Sequence, residues 1–224
     1  MSKHDGSSGT NGHTTEAKLS RASVQRFSLY LRHLERWNAE GLQVVSSSQL
    51  GEALAINDAQ VRKDLAYLGN LGQPGIGYYT QELITALRHR LGVDRAWTAI
   101  VIGAGNLARA LLRYRGFSQQ GFQFVGLFDA DPHKVGQKVE GLEVHAMDRL
   151  SAVIAATKAE LAVVAVPAEN AQQVADALVA AGIKGILNFA PTMLRLPTHV
   201  SLVAVDLAVQ LEQLAFLVHL SQNE

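Results

Sequence analysis

The sequence predicts an α/β chain of two unlike domains, a small, largely helical one and, after it, a doubly wound parallel sheet. Three observations carry this. Between residues 20 and 92, apolar side chains recur at helical spacing. From Trp97 onward, apolar runs of strand length alternate with helical stretches; runs apolar on both faces imply a parallel sheet covered on both sides. The 224 residues, 48% hydrophobic and 18% charged, suffice for two modest cores. The expected divisions are a disordered tail over 1–19, the helical domain over 20–92, the sheet domain over 93–206 and a separate C-terminal helix over 207–224.

The elements follow in order. The tail is polar and simple (Gly6, Ser7, Ser8, Gly9), so burial cannot offset its ordering entropy. Val24, Phe27, Leu31 and Leu34 predict one inward helix face between Ser20 and Glu40-Gly41. Ser46, Ser47 and Ser48 predict the cap of a second, short helix with Leu50, Ala53 and Leu54. Asn57-Asp58 offers the next cap; Val61, Leu65 and Leu68 then face inward, and Gly69 and Gly72 end that helix. Gly72-Gln73-Pro74-Gly75-Ile76-Gly77-Tyr78-Tyr79, turn formers followed by β-formers, predicts a tight hairpin. A helix over 81–91 and a linker over 92–95 follow. Strands are expected at 98–102, 122–128, 161–166, 185–189 and 201–205, with a shorter one at 143–145. Over 207–220, Gln210, Glu212, Gln213 and His219 share no helical face, and ten of the fourteen positions are apolar. Such a helix needs burial on several sides, in a cleft of its own chain or inside a partner subunit.

Composition narrows the chemistry. Twenty basic residues balance twenty acidic ones, which argues against binding nucleic acid by bulk charge. Without cysteine there are no disulfides, thiolate metal sites or cysteine nucleophiles, and the eight histidines show no HExxH spacing, so no metal is expected. No 18-residue apolar run and no N-terminal apolar segment occur, so the chain is expected to be soluble and cytoplasmic, away from membranes.

The strand at 98–102 runs directly into Gly103-Ala104-Gly105-Asn106-Leu107-Ala108, a G-x-G-x-x-A turn opening a helix. The first glycine makes the turn, the second admits a pyrophosphate to the backbone, and the small third position lets helix and strand pack closely. The helix N-terminus offers N–H groups to the phosphates. The next strand ends in Asp129, 26 residues beyond Gly103, where a ribose hydroxyl acceptor belongs. A carboxylate there repels a 2′-phosphate and favours NAD(H) over NADP(H). Lys134 stands on the far side of Asp131-Pro132 and is given little weight. Pro167 and Asn188 to Pro191 follow later strands and complete the expected site; Asn188 faces a carboxamide or caps the turn before Pro191. The alternative is a Rossmann-like turn that binds nothing, or another nucleotide.

Residues 50–65 fit a helix-turn-helix, with Ala55 where the turn often has glycine. The second helix places Gln60, Arg62 and Lys63 in its N-terminal half, where base edges and phosphates are reached. With Ser47, Asn57, Tyr67 and Gly75 they form the expected DNA-facing set, and the hairpin at 72–79 serves as a wing. Residues 1–97 carry 11 basic and 9 acidic side chains; residues 98–224 carry 9 and 11. That split supports DNA binding only faintly, and a helical protein-interaction domain is the alternative.

With both modules in place, the chain resembles the Rex family of redox-sensing transcriptional repressors from about Ser20 to Leu220. The likeness rests on Val61-Arg62-Lys63-Asp64-Leu65, Gly75-Ile76-Gly77-Tyr78, Gly103-Ala104-Gly105-Asn106-Leu107, Phe128-Asp129-Ala130-Asp131-Pro132, Val166-Pro167-Ala168-Glu169 and, most specifically, Gly182-Ile183-Lys184-Gly185-Ile186-Leu187-Asn188-Phe189-Ala190-Pro191. The resemblance implies a homodimer with a winged-helix domain, a Rossmann domain and a domain-swapped C-terminal helix. It implies binding to a pseudo-palindromic operator when NADH is scarce and release when NADH binds, with NAD⁺ as the counterpart ligand. It also implies that Tyr114 and Asp206 communicate between subunits beside the nicotinamide and that Arg32 contacts the aspartate in the other state. The chain departs from the family pattern at Pro74, where a basic residue is usual, at Arg115, where proline is frequent, and at Leu207, where some members have phenylalanine. A dehydrogenase would need an acid/base group and a substrate pocket, and no such constellation is visible. An NAD-binding interaction protein without DNA contact is the third reading.

Overall fold

The computed structural model describes residues 19–222. These fall into two compact units that divide between Asp94 and Arg95. The tail expected over 1–19 lies outside the described residues except for Leu19, which packs against the first core.

The first unit comprises α1 (Arg21–Ala39), β1 (Val44–Val45), α2 (Ser47–Leu54), α3 (Asp58–Leu65), β2 (Gly72–Gln73), β3 (Gly77–Tyr79) and α4 (Thr80–Leu91), with a 3-10 turn (Ala66–Leu68) extending α3. Side chains start three of its helices. Ser20 Oγ accepts the Ser23 N–H, Asn57 Oδ1 accepts the Ala59 N–H, and Ser46 and Gln49 form a reciprocal capping box. Phe27, Tyr30, Leu31 and Leu34 form the buried face of α1, whereas Val24, expected inward, is 41% exposed. Gly69 ends the 3-10 turn, while Gly72 opens β2 rather than closing a helix. The hairpin turn is closed by the Ile76 N–H on the Gln73 carbonyl, 3.1 Å. Pro74 sets φ for the first turn position, and Gly75, at φ +77°, takes the left-handed second position of a type II turn. β3 pairs antiparallel with both β2 and β1, giving the three-stranded order β1-β3-β2.

The second unit comprises β4 (Trp97–Ile102), α5 (Asn106–Arg113), α6 (Gly116–Gln119), β5 (Phe122–Asp129), β6 (Lys138–Val139), β7 (Leu142–Ala146), α7 (Leu150–Thr157), β8 (Leu161–Val164), α8 (Ala168–Ala180), β9 (Gly185–Asn188), β10 (Ser201–Ala204) and α9 (Leu207–Ser221). The sheet order is β10-β9-β8-β4-β5-β7-β6, parallel except for the β6–β7 hairpin. Chain order runs outward from β4 through β5 to β7, then returns to β8 on the other side of β4. That reversal is the doubly wound, Rossmann-type topology. β4 serves two cores at once: Ile100 and Ile102 join the cluster that includes Ile154 and Leu178, and Val101 joins the cluster that includes Ala108 and Val144. β8 ends at Val164, two residues before the expected boundary. Ala165 still donates to the Ile102 carbonyl at 2.9 Å, and then Pro167 caps α8.

At the amino ends of the strands, Glu160 accepts from Arg95 (2.6 Å) and Lys184 (2.8 Å). These two cations hold its carboxyl down to about 2, below the usual 4.5. A depressed carboxylate contributes its full stabilisation above its unfolded value and loses it as pH falls toward the folded one. Acid titration of Glu160→Gln is therefore expected to show a smaller loss of stability between about pH 4.5 and 2 than the parent chain. Coincident acid-unfolding curves by circular dichroism would show that the triad contributes nothing.

α9 has no stripe facing its own chain. Every residue from Leu207 to Ser221 is exposed, with Leu211 at 66% and Phe216 at 60%. Burial in a cleft of its own chain, one of the two expectations, is not what the structure shows. Among the described residues, no helix is long and apolar enough to cross a membrane.

Candidate functional site

Two surfaces gather the chemistry, one in each unit. In the first, α3 turns Arg62 and Lys63 outward, and the 3-10 turn that extends it turns Tyr67 outward. The rest of α3 is anchored from behind by a carboxylate that sequence spacing did not single out. Asp64, 1% exposed, accepts from Arg26 Nε (2.5 Å) and Nη2 (2.8 Å), from the Tyr30 hydroxyl (2.9 Å) and from Gln60 Nε2 (2.8 Å). Burial opposes the charge on Asp64, but the Arg26, Tyr30 and Gln60 hydrogen bonds outweigh it and hold the carboxyl below its usual range. Burial and the same carboxylate push the Tyr30 phenol up. Gln60, expected to reach bases, is instead turned inward at i,i+4 to Asp64. Asn57 spends its carbonyl oxygen on the α3 cap, so it orients α3 rather than presenting that oxygen outward.

Arg62 Nη1 donates to Asp58 Oδ2 (2.6 Å) and to Ser47 Oγ (3.3 Å). Solvent screens an exposed pair of this kind, so a phosphate or base can draw the guanidinium away at little cost. Ser46, Ser47 and Arg62 form one wall of a groove of about 450 Å³ whose other wall is the wing, residues 72–78. Gly75 and the half-exposed Ile76 stand at the wing tip.

In the second unit, the chain leaves β4 at Gly103 with φ +98°, where a Cβ would overlap the Ala165 carbonyl. Only glycine makes this turn without moving the backbone just after β8. Gly105, the N-cap of α5, uses no side chain to cap the helix, and the space above it is open. The first-turn N–H groups of α5 therefore lack intrahelical acceptors and face an unobstructed approach. Ala108 is fully buried in the core beneath, as the small third position requires, and Ala104 is buried beside it. Asn106 and Leu107 are exposed.

A cleft of about 440 Å³ opens at the carboxyl ends of β4, β5 and β8, where the strand order reverses. Gly103, Gly105, Asp129 and Pro167 line it, as expected, together with Met147, Asn170 and Lys134, which were not. Asp129 accepts the Ala104 N–H (2.7 Å) and the Lys134 ammonium (2.9 Å) on Oδ2, and the Asp131 N–H (2.8 Å) on Oδ1. Burial works against its charge; the Asp131 N–H, Lys134 and the Ala104 N–H prevail and hold it below the usual carboxylate range. The small weight given to Lys134 is thus corrected: the turn at Asp131-Pro132 folds it back onto Asp129. A dinucleotide fits these residues on three counts, the open space at Gly105, the uncapped helix start and a buried, ionised acceptor at the end of β5.

Asn188 does not face this cleft. Its Nδ2 donates to the Ala190 and Thr192 carbonyls, both at 3.0 Å, and its Oδ1 accepts the Ala190 N–H. The turn-capping alternative is the one observed, and Pro191 is exposed beyond that turn, outside the cleft lining. Tyr114 closes α5 at 60% exposure, its ring edge-on to Phe117. Asp206 caps α9, accepting the Ala208 N–H at 2.9 Å, and Arg32 is exposed on α1 of the other unit. No group of three or more His, Asp or Glu among the described residues can hold a metal.

Comparison with known proteins reaches both units. A family model described as "CoA binding domain" matches residues 94–192, and one described as "Putative DNA-binding protein N-terminus" matches residues 18–66. The redox-sensing transcriptional repressor Rex of Carboxydothermus hydrogenoformans is 46% identical over 199 residues, covering 89% of this chain and 96% of that one. Rex of Rhodopirellula baltica is 45% identical, covering 94% of this chain and 89% of that one. The crystal structure of RSP in complex with β-NAD⁺ and operator DNA superposes with a TM-score of 0.87 at 35% identity, over 92% of this chain and 95% of that one. RSP in complex with β-NADH gives 0.82 at 34% identity, over 91% and 96%. At these identities over nearly the whole of each relative, the chain belongs to the Rex family of redox-sensing transcriptional repressors.

Proposed function

We propose that the chain is a homodimeric repressor that holds a pseudo-palindromic operator through the α3 face and the wing, and leaves it when NADH occupies the cleft ending at Asp129. The observation that carries this is the presence, in one chain, of a glycine turn completed by a buried aspartate and a helix face walled by a wing. Arg62 and Lys63 contact DNA with Ser47, Tyr67 and Gly75. The first-turn N–H groups of α5 hold the pyrophosphate, and Asp129 accepts the adenosine ribose. The relatives in complex with β-NAD⁺ plus operator DNA and with β-NADH support opposite states of the DNA equilibrium for the two ligands. The chain regulates and does not catalyse; it works in the cytoplasm and needs neither metal nor membrane.

The exposed apolar α9 supports a dimer in which this helix is exchanged and covered by the partner subunit. Tyr114 of one subunit then meets Asp206 of the other beside the nicotinamide, and Arg32 takes Asp206 in the alternative state. A ligand moves such an equilibrium only by binding its two states unequally. A coupling of about 1–3 kcal/mol corresponds to about 5–150-fold in operator affinity.

Fluorescence anisotropy on promoter fragments at fixed salt tests this, with NADH, NAD⁺, NADPH and coenzyme A titrated separately. Release by micromolar NADH and retention with NAD⁺ is expected. DNA binding indifferent to every ligand would remove the cleft from the switch, and absence of specific binding would remove the α3 face as a reader.

A further inference from the structure

The carboxylate expected to turn away a 2′-phosphate is paired with an ammonium in the same cleft. An ionised carboxylate offers about four acceptor positions. On Asp129, Ala104 and Lys134 take two at Oδ2 and Asp131 takes one at Oδ1, so the position left for a ribose hydroxyl is on Oδ1. Lys134 stands 2.9 Å from this carboxylate and is 39% exposed, close enough to cancel much of its field and open enough to meet an incoming anion. It is the one cation among the residues that line the cleft. Asp131, also in the lining, keeps the local charge negative overall and spends one carboxylate oxygen on the His133 N–H.

We propose that Lys134 is a specificity-determining residue for the dinucleotide. It softens the rejection that Asp129 imposes on a 2′-phosphate and supplies the ammonium which that phosphate meets. The cleft therefore prefers NADH through the excess of carboxylate over ammonium, and retains a weaker, measurable affinity for NADPH through Lys134. This rests on the reading of the cleft as an NADH site.

The test is the ratio Kd(NADPH)/Kd(NADH), measured by fluorescence titration of the purified full chain. Lys134→Gln and Lys134→Met are both expected to raise the ratio about tenfold, the size of one partly exposed charge contact of about 1.4 kcal/mol. Lys134→Arg, which keeps the charge, is expected to hold the parent ratio. Thermal melts by circular dichroism report that each variant is folded. A ratio unmoved in both neutral variants overturns the inference, because a residue that merely braces Asp129 shifts both constants together. A parent chain that binds neither dinucleotide overturns the NADH reading itself, and this inference with it.

Discussion

Alanine in place of Asp64 is expected to destabilise the first unit by about 3–5 kcal/mol and to weaken operator binding with it. The carboxylate is buried and holds Arg26 by two hydrogen bonds, the Tyr30 hydroxyl and the Gln60 amide. Removing one partner from a buried ion pair costs about 3–5 kcal/mol, because the groups left behind are desolvated and unpaired. A whole domain is stable by only about 5–15 kcal/mol. The loss also frees α3 from α1, so the outward face of Arg62, Lys63 and Tyr67 no longer has a fixed angle. Urea unfolding followed by circular dichroism measures the loss. Tyr30→Phe removes one hydrogen bond and leaves the ion pair, and is expected to cost about 1 kcal/mol. A change under about 1 kcal/mol for Asp64→Ala itself would mean that water replaces the carboxylate without strain.

The second large effect is expected on α9. Leu211→Glu with Leu214→Glu places two charges on a helix whose side chains are exposed within its own chain, these two at 66% and 56%. In a monomer such surface changes stay within about 0.5 kcal/mol. In a dimer that covers this helix, each loses about 2 kcal/mol of apolar burial and adds the cost of a desolvated charge. The dimer dissociation constant should therefore rise by more than about a thousandfold, since each 1.4 kcal/mol is tenfold. Sedimentation equilibrium reads this directly. A parent chain that is monomeric at micromolar concentration, or a variant that stays dimeric, would remove α9 from the interface.

Long, regular patterns and the hairpin marked by Pro74 and Gly75 were legible in the sequence; reversals closed by a side chain on a backbone N–H were not. The step from β4 through Gly103, Gly105 and Ala108 into α5 is local, and each residue does what its spacing implies. The absence of a polar face on α9 was visible because fourteen residues suffice to test a helical period. β1 was missed because two residues, Val44 and Val45, cannot show alternation. Lys134 was misplaced because the Asp129-Asp131 turn, closed by a side chain on a backbone N–H, reverses the chain within five residues. Gln60 looked like a base reader until Asp64, one helical turn later, claimed its amide. Asn188 carried two readings of equal standing, and three hydrogen bonds to its own turn decide between them. The resemblance supplied Arg32, Tyr114 and Asp206, which no pattern of period or charge would have selected.

α5 is short. Gly105 precedes its first residue and Tyr114 follows its last, with only Asn106–Arg113 between. At 1.5 Å per residue that is about 12 Å of rod, just over two turns. A segment so brief has no room to bend, and its internal hydrogen bonds survive any rigid shift. In the proposed switch, a rigid shift at the phosphate turn would carry Tyr114 with it. Ala108 is buried in the same core as Val101 of β4, so such a shift has to carry part of that core along.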